Sequence, residues 1–185
     1  MRLLVSRHKK ETQMTPEDIL ANIRNVPDFP KKGILFKDIT TALQKPEVYN
    51  AIIENLYSLI KDLDIDYIAA IESRGFIFGA PLAYKMGVGL VIIRKPGKLP
   101  ADVYHEEYSL EYGTDSLEMH KDAVKKGDNV LVIDDLLATG GTVAATCRLV
   151  KKAGANVVGT LFLIELTELS QNVKLPAPVY SLLKC

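Results

Sequence analysis

Apolar side chains recur at intervals of three and four after Pro46, where Val48, Ile52, Leu56, Leu59 and Leu63 share one face and predict an amphipathic helix from Pro46 to about residue 62. The pattern then changes to short apolar runs: "DYIAAI" (66–71), "VGLVIIRK" (88–95), "NVLVID" (129–134), "NVVGTLFLIEL" (156–166) and "VYSLL" (179–183). Runs that are apolar throughout read as strands buried on both faces. Helical stretches separate them, one from Gly79 to Met86 and one from about Val143 to Ala153, ended by Gly154. "SLEMH" (116–120) alternates like a short half-exposed strand. This alternation predicts an α/β fold, a mostly parallel central sheet flanked by helices and joined by right-handed crossovers.

The remaining stretches lack such periodicity. "TPEDILANIRNV" has Thr15 as a helix N-cap, Pro16 in the first turn and Asp18 three residues after the cap, which predicts a short opening helix. Prolines and a glycine in "VPDFPKKGILFKDIT" predict an irregular surface segment over 26–40. The polar stretch 96–115 has no clear period and is long for a connection between strands, so it is expected to be a flexible lid. The chain is read as one domain over 1–185, with an N-terminal extension over about 1–15 that is frayed and solvated.

Composition narrows the function. With 48% hydrophobic and 25% charged residues the chain reads as a soluble globular protein. Its 23 basic and 23 acidic side chains cancel, so no global field favours nucleic acid or an anionic membrane. No apolar run approaches the roughly 20 residues that span a bilayer, and the basic start is not followed by a signal-peptide core. Cys147 and Cys185 form no disulfide framework, which is consistent with a reducing cytoplasm, and His8, His105 and His120 have no metal-ligand spacing.

The strongest chemistry lies in "VLVIDDLLATGGTVAATCRLV" (130–150). Asp134 and Asp135 follow a buried strand, where ligands of parallel sheets bind, and adjacent carboxylates in that place are costly unless they serve a ligand. Ala138, Thr139, Gly140, Gly141 and Thr142 then open a helix. Glycines let backbone approach an anion, hydroxyls donate to it, and the helix start favours negative charge. No G-x-x-x-x-G-K-[ST] or G-x-G-x-x-G is present, and a dinucleotide fold places its acid after the glycines rather than before them. A receiver domain needs its acid pair near the start of the domain, yet only about 50 residues follow Asp135. Carboxylates for two neighbouring sugar hydroxyls beside a phosphate cup point to a ribose 5-phosphate.

"VLVIDDLLATGGT" resembles the phosphoribosyl pyrophosphate motif of type I phosphoribosyltransferases. "FPKKGILFKDIT", "DYIAAIESRGFIFGAPLA", "IRKPGKLP" and "YSLEYG" further resemble, in the same order, segments of the adenine-using members, from about residue 20 to the C-terminus. The resemblance implies a type I phosphoribosyltransferase fold with a small N-terminal hood over about 20–40. It also implies transfer of a 5-phosphoribosyl group to N9 of adenine, with Mg2+ carried by the substrate's pyrophosphate and ribose hydroxyls rather than by direct protein ligands, and a homodimer. Ser73, Arg74 and Gly75, in a loop after the 66–71 strand, would hold pyrophosphate, with Arg74 directed at the reacting centre. Arg74 could otherwise pair with Glu72. Arg94, Lys95 and Lys98 would also meet pyrophosphate, although a charge run is as readily a solvated face. Glu111 would exchange a proton with the purine ring and Tyr112 would close over the site; by themselves they read as a solvated charge and an amphipathic aromatic. Leu35 and Lys37 would read the base through backbone groups, with Phe36 stacking on it, though a Phe between aliphatic neighbours also suits a core. Lys37 stands where many relatives carry arginine, which leaves a backbone contact intact. Two other readings share the fold: transfer to another purine base, and a purine-sensing regulator, for which the chain has neither a DNA-binding domain nor net positive charge.

Overall fold

The computed structural model describes residues 14–109 and 113–185, and the opening 13 residues, with most of the expected N-terminal extension, lie outside them. Contacts divide the chain into two compact units, one ending at Ile52 and the other running from Ile53 to Cys185.

In the first unit, α1 (Pro16–Leu20) begins as expected. The Asp18 amide donates to the Thr15 hydroxyl at 3.2 Å, and the Thr15 amide donates to the Asp18 carboxylate at 3.0 Å, a reciprocal cap. The segment expected to be irregular instead contains an antiparallel hairpin, β1 (Arg24–Pro27) with β2 (Leu35–Asp38). Its prolines do not interrupt the ladder, because Pro27 ends β1 and Pro30 lies in the connection. Asp28 shapes that connection by accepting from the Gly33 amide at 2.7 Å. Helix α2 (Thr40–Leu43) follows, and α3 (Pro46–Ile60) runs across the division with Val48, Ile52, Leu56 and Ile60 buried.

The second unit holds β3 (Tyr67–Ile71), α4 (Gly75–Met86), β4 (Gly89–Ile93), β5 (Val103–Ser109), β6 (Thr114–His120), β7 (Asn129–Leu137), α5 (Gly141–Lys152), β8 (Asn156–Glu165), α6 (Thr167–Ser170) and β9 (Val179–Lys184). Five strands form a parallel sheet in the order β4-β3-β7-β8-β9. From β3 the chain moves outward to β4, then returns to place β7 on the opposite side of β3. The order therefore reverses between β3 and β7, and the crevice beyond their carboxyl ends is where such sheets bind ligands. Ile68, Ala69, Ala70, Val130, Leu131, Val132 and Ile133 are fully buried, in keeping with their unbroken apolar runs.

Part of the stretch expected to be aperiodic is ordered strand. β5 pairs antiparallel with β6, from Val103↔His120 to Ser109↔Thr114. Its inward series is Tyr104, Glu106 and Tyr108, and Glu106 is held there by two cations of α5. Arg148 Nε lies 2.5 Å from Glu106 Oε1, Lys152 Nζ meets Oε2, and Lys152 also donates to the His105 carbonyl at 2.8 Å. Among the described residues, no helix is long and apolar enough to cross a membrane.

Candidate active site

The acid pair sits where β7 leaves its neighbour β3. The β3 pairing ends at Ala70↔Ile133, while β7 continues along β8 to Leu137↔Glu165, so Asp134 and Asp135 lie within the strand but beyond the end of β3. Arg74 reaches across from that end: its Nε lies 2.8 Å from Asp135 Oδ2, and the Asp135 side chain is only 5% exposed. Asp134 Oδ1 accepts from the Asp135 amide at 2.8 Å. Burial, reinforced by the neighbouring Asp135 charge, pushes the Asp134 carboxyl well above the usual range. Burial raises Asp135 as well, against the opposing Arg74 guanidinium.

Asp134, Asp135 and Arg74 share one cavity of about 220 Å³ with residues 136–143 and Phe162. Ala138 and Thr139 lie there in the connection after β7, with Gly140 as the N-cap of α5. Gly140 has φ 76°, a left-handed conformation that favours glycine, and a Cβ there would overlap the Val173 side chain. Gly141 and Thr142 form the start of the helix, two residues earlier than expected, and no side chain caps it. Its first amides are therefore available to an anion in the cavity.

Gly75 needs a correction. It is the first residue of α4, not a loop residue, and α4 starts four residues earlier than its apolar spacing suggests. Arg74 is the N-cap residue, and the Glu72–Ser73 peptide just before it is cis. A Cβ on Gly75 would come 2.9 Å from the Ile133 carbonyl oxygen and 3.2 Å from Asp134 Oδ1, so the absence of a side chain lets α4 begin directly against the acid pair. Ser73 and Arg74 lie between β3 and α4, and Gly75 opens α4.

The other cations take partners that local spacing does not reveal. Glu72 pairs with Arg94 rather than Arg74: Arg94 Nε and the Lys95 amide donate to Glu72 Oε2 at 2.8 and 2.7 Å. Those bonds hold the Glu72 carboxyl below the usual range against the effect of burial. Lys95 Nζ is bound to Asp115 and lies 3.4 Å from the Tyr108 hydroxyl. Lys98 follows in a turn closed by its amide on the Lys95 carbonyl at 3.3 Å. Arg94, Lys95 and Lys98 do not line the acid cavity. Glu111 and Tyr112 lie outside the described residues.

In the first unit, Leu35, Phe36 and Lys37 are consecutive residues of β2. Leu35 is 51% exposed, and Phe36 makes an edge-to-face contact with Phe29 at 5.1 Å between ring centroids. Asp38 fixes the end of this strand. The Thr40 hydroxyl, Arg24 and the Thr40 amide donate to its carboxylate and hold it at about 2.

Sequence reasoning missed Glu72 as the partner of Arg94, and it missed Tyr108, Asp115 and Phe162. Glu72 was visible as an acid directly after a buried strand, whereas Asp115 has no local signal.

Over residues 39–185 the chain matches a family described as "Phosphoribosyl transferase domain". It is 55% identical over 172 residues to a protein of Chloroflexus aurantiacus named adenine phosphoribosyltransferase, covering 92% of this chain and 99% of that protein. A protein of the same name from Acaryochloris marina is 56% identical over 159 residues, 86% of this chain and 94% of that one. The crystal structure of adenine phosphoribosyltransferase from Thermoanaerobacter pseudethanolicus superposes with a TM-score of 0.88 at 52% identity, covering 92% of this chain and all (100%) of that one. The Saccharomyces cerevisiae enzyme, solved with adenine and an imino-altritol bisphosphate, gives 0.85 at 39% identity over 90% of this chain and 97% of that one.

Proposed function

The chain belongs to the phosphoribosyltransferase family, and from that premise we propose that it transfers the 5-phosphoribosyl group of phosphoribosyl pyrophosphate to N9 of adenine, giving AMP and pyrophosphate. The observation that carries the sugar half is the single cavity in which two carboxylates face the bare start of α5. Support for adenine as acceptor comes from the names of relatives at 55% identity and from the yeast structure with bound adenine.

In this reading Asp134 and Asp135 accept from the ribose hydroxyls, and the amides and hydroxyls of 138–142 hold the 5-phosphate. Asp135, held by Arg74, also stands where the sugar develops positive charge as its C1 bond to pyrophosphate breaks. Arg74, already turned toward Asp135, orients the reacting centre, while the backbone around Ser73 and Gly75, with Arg94, Lys95 and Lys98, receives the departing pyrophosphate. Leu35 and Lys37 read the adenine edge through backbone groups, and Phe36 stacks on its ring. Glu111 manages the purine proton and Tyr112 screens the site from water, which would otherwise compete for the electrophilic sugar.

The Asp134–Asp135 pair, sharing its cavity with the bare start of α5, suits Mg2+ carried on the substrate, a hard cation that keeps substrate oxygens and waters and needs no protein cage. Asp134 and Asp135 would meet it through the hydroxyls they bind, and it would neutralise the leaving pyrophosphate. The protein acts as a cytoplasmic homodimer on these small-molecule substrates.

The test is to supply the protein with Mg2+, phosphoribosyl pyrophosphate and, separately, adenine, guanine, hypoxanthine or xanthine, and to follow pyrophosphate release. Release with adenine alone is expected; equal release with a 6-oxopurine overturns the choice of base, and release with none overturns the transfer.

A further inference from the structure

Lys95 follows the edge strand β4, and its surroundings give it a second anion to bind. Two backbone hydrogen bonds stitch Arg94 to Glu118 of β6, at 3.0 and 2.7 Å, and the Gly97 amide donates to the Glu118 carboxylate at 3.0 Å. The chain around Lys95 is therefore fastened along β6, toward Asp115. Tyr108 and Asp115 are directly opposed in the β5–β6 register. The Tyr108 hydroxyl donates to Asp115 Oδ2 at 3.2 Å, and Lys95 Nζ reaches that same carboxylate and lies 5.8 Å from the Tyr108 ring centroid. Asp115 is itself fixed, since its Oδ1 accepts from the Ser116 amide at 2.8 Å. The Lys95 and Asp115 side chains are 38% and 30% exposed, so the pair is open to exchange with a solvent-borne anion.

We propose that Asp115, assisted by Tyr108, is a positioning residue that competes with pyrophosphate for the Lys95 ammonium, weakening the hold on the product so that it can leave. The proposal rests on the reading of Lys95 as a pyrophosphate contact. In the free protein Lys95 is held by the β5–β6 stem. When the anion arrives, the ammonium exchanges a single carboxylate for a more highly charged group, and when pyrophosphate departs, Asp115 takes the ammonium back. No covalent bond changes in this exchange. The chain's net charge does not drive it, because basic and acidic side chains cancel at 23 each.

The experiment measures binding of inorganic pyrophosphate with Mg2+, and its inhibition constant against phosphoribosyl pyrophosphate, for the full chain, four single variants and one double variant. Asp115→Asn keeps the shape and removes the competing charge. It is expected to tighten pyrophosphate binding about two- to fivefold, the scale of a partly exposed ion pair. A residue with only a structural role would weaken binding or leave it unchanged when lost. Asp115→Glu keeps the charge and is expected to restore the original affinity. Lys95→Met is expected to weaken pyrophosphate binding and to abolish the effect of adding Asp115→Asn. If Lys95→Met weakens binding but Asp115→Asn leaves it unchanged or weaker, the competition is overturned while the transferase reading stands. If Lys95→Met leaves pyrophosphate binding intact, Lys95 is no pyrophosphate contact and the proposal falls with that assignment. Tyr108→Phe, which removes only the hydroxyl, gives an independent check and is expected to act in the same direction as Asp115→Asn, by less.

Discussion

Replacing Asp134 by asparagine is expected to stabilise the free protein while spoiling its ligand binding. Asp134 has a raised carboxyl because it is buried and because Asp135 stands beside it. An acid with a higher pKa in the folded state than in the unfolded chain binds more protons when folded. Its contribution to stability therefore declines as pH rises from the unfolded value, about 4, through the folded one, at up to about 1.4 kcal/mol per pH unit. Asparagine removes that decline yet keeps an oxygen for the Asp135 amide, which Asp134 accepts at 2.8 Å. At pH 8 the variant is expected to be more stable than the wild type, and in a chain of this length each kcal/mol raises Tm by about 2–4 °C. Binding of phosphoribosyl pyrophosphate is expected to weaken by about 2- to 10-fold, the loss of one ordinary hydrogen bond at about 0.5–1.5 kcal/mol. Thermal melts from pH 5 to 9 and ligand titration at pH 8 provide the readouts. Parallel pH–Tm curves, or a lower Tm for the variant at pH 8, would refute the reasoning from a buried, repelling pair. Unchanged affinity would refute the role in holding the sugar.

Gly75→Ala is expected to cost about 1–3 kcal/mol by overpacking and to raise KM for phosphoribosyl pyrophosphate, because the new methyl presses on the Ile133 carbonyl and Asp134; unchanged thermal and kinetic constants would remove the close-approach account. Glu106→Gln breaks the two ion pairs that hold β5 on α5 and, with both cations about half exposed, is expected to cost about 1 kcal/mol in thermal melts at pH 7. Glu106 has a lowered pKa, chiefly through its Lys152 hydrogen bond, so its contribution is present above the usual glutamate range and lost as pH falls through the folded value; the difference between wild type and variant should shrink in acid. Asp38→Ala unties β2 from Arg24 and Thr40 and is expected to raise KM for adenine while sparing that for phosphoribosyl pyrophosphate, which steady-state kinetics with each substrate varied would check. Glu111→Gln is expected to lower kcat at least tenfold with little change in phosphoribosyl pyrophosphate binding; an unchanged kcat excludes Glu111 from proton transfer.

What could be read from the sequence divides according to whether an interaction is local. The Asp134–Asp135 pair and the 138–142 cup are adjacent in the chain, and the buried run before them announces a strand end, so their shared cavity follows from order alone. The sheet was equally legible, because strands buried on both faces leave unbroken apolar runs. β5 left no such trace: Glu106 occupies an inward position only because Arg148 and Lys152 of α5 neutralise it, so an ion pair made in three dimensions erases the apolar alternation. The β1–β2 hairpin was hidden because its prolines fall at a strand end and in a turn, where they do no harm to the ladder.

The partners of the cations were hidden for a related reason. Arg74 and Glu72 are near neighbours in the chain, and that proximity suggests a pair. Parallel pairing of β3 with β4 instead carries Arg94 to Glu72, and pairing of β3 with β7 places Arg74 beside Asp135. Lys95 likewise finds Asp115 only because the Arg94–Glu118 bridge lays the segment after β4 along β6. A charge run therefore states which ions are present, while sheet register decides which carboxylate each must leave before it can serve a ligand. That exchange is a physical quantity that motif spacing does not contain, and in this fold it bears on Arg94 and Lys95, whose carboxylate partners lie outside the acid cavity.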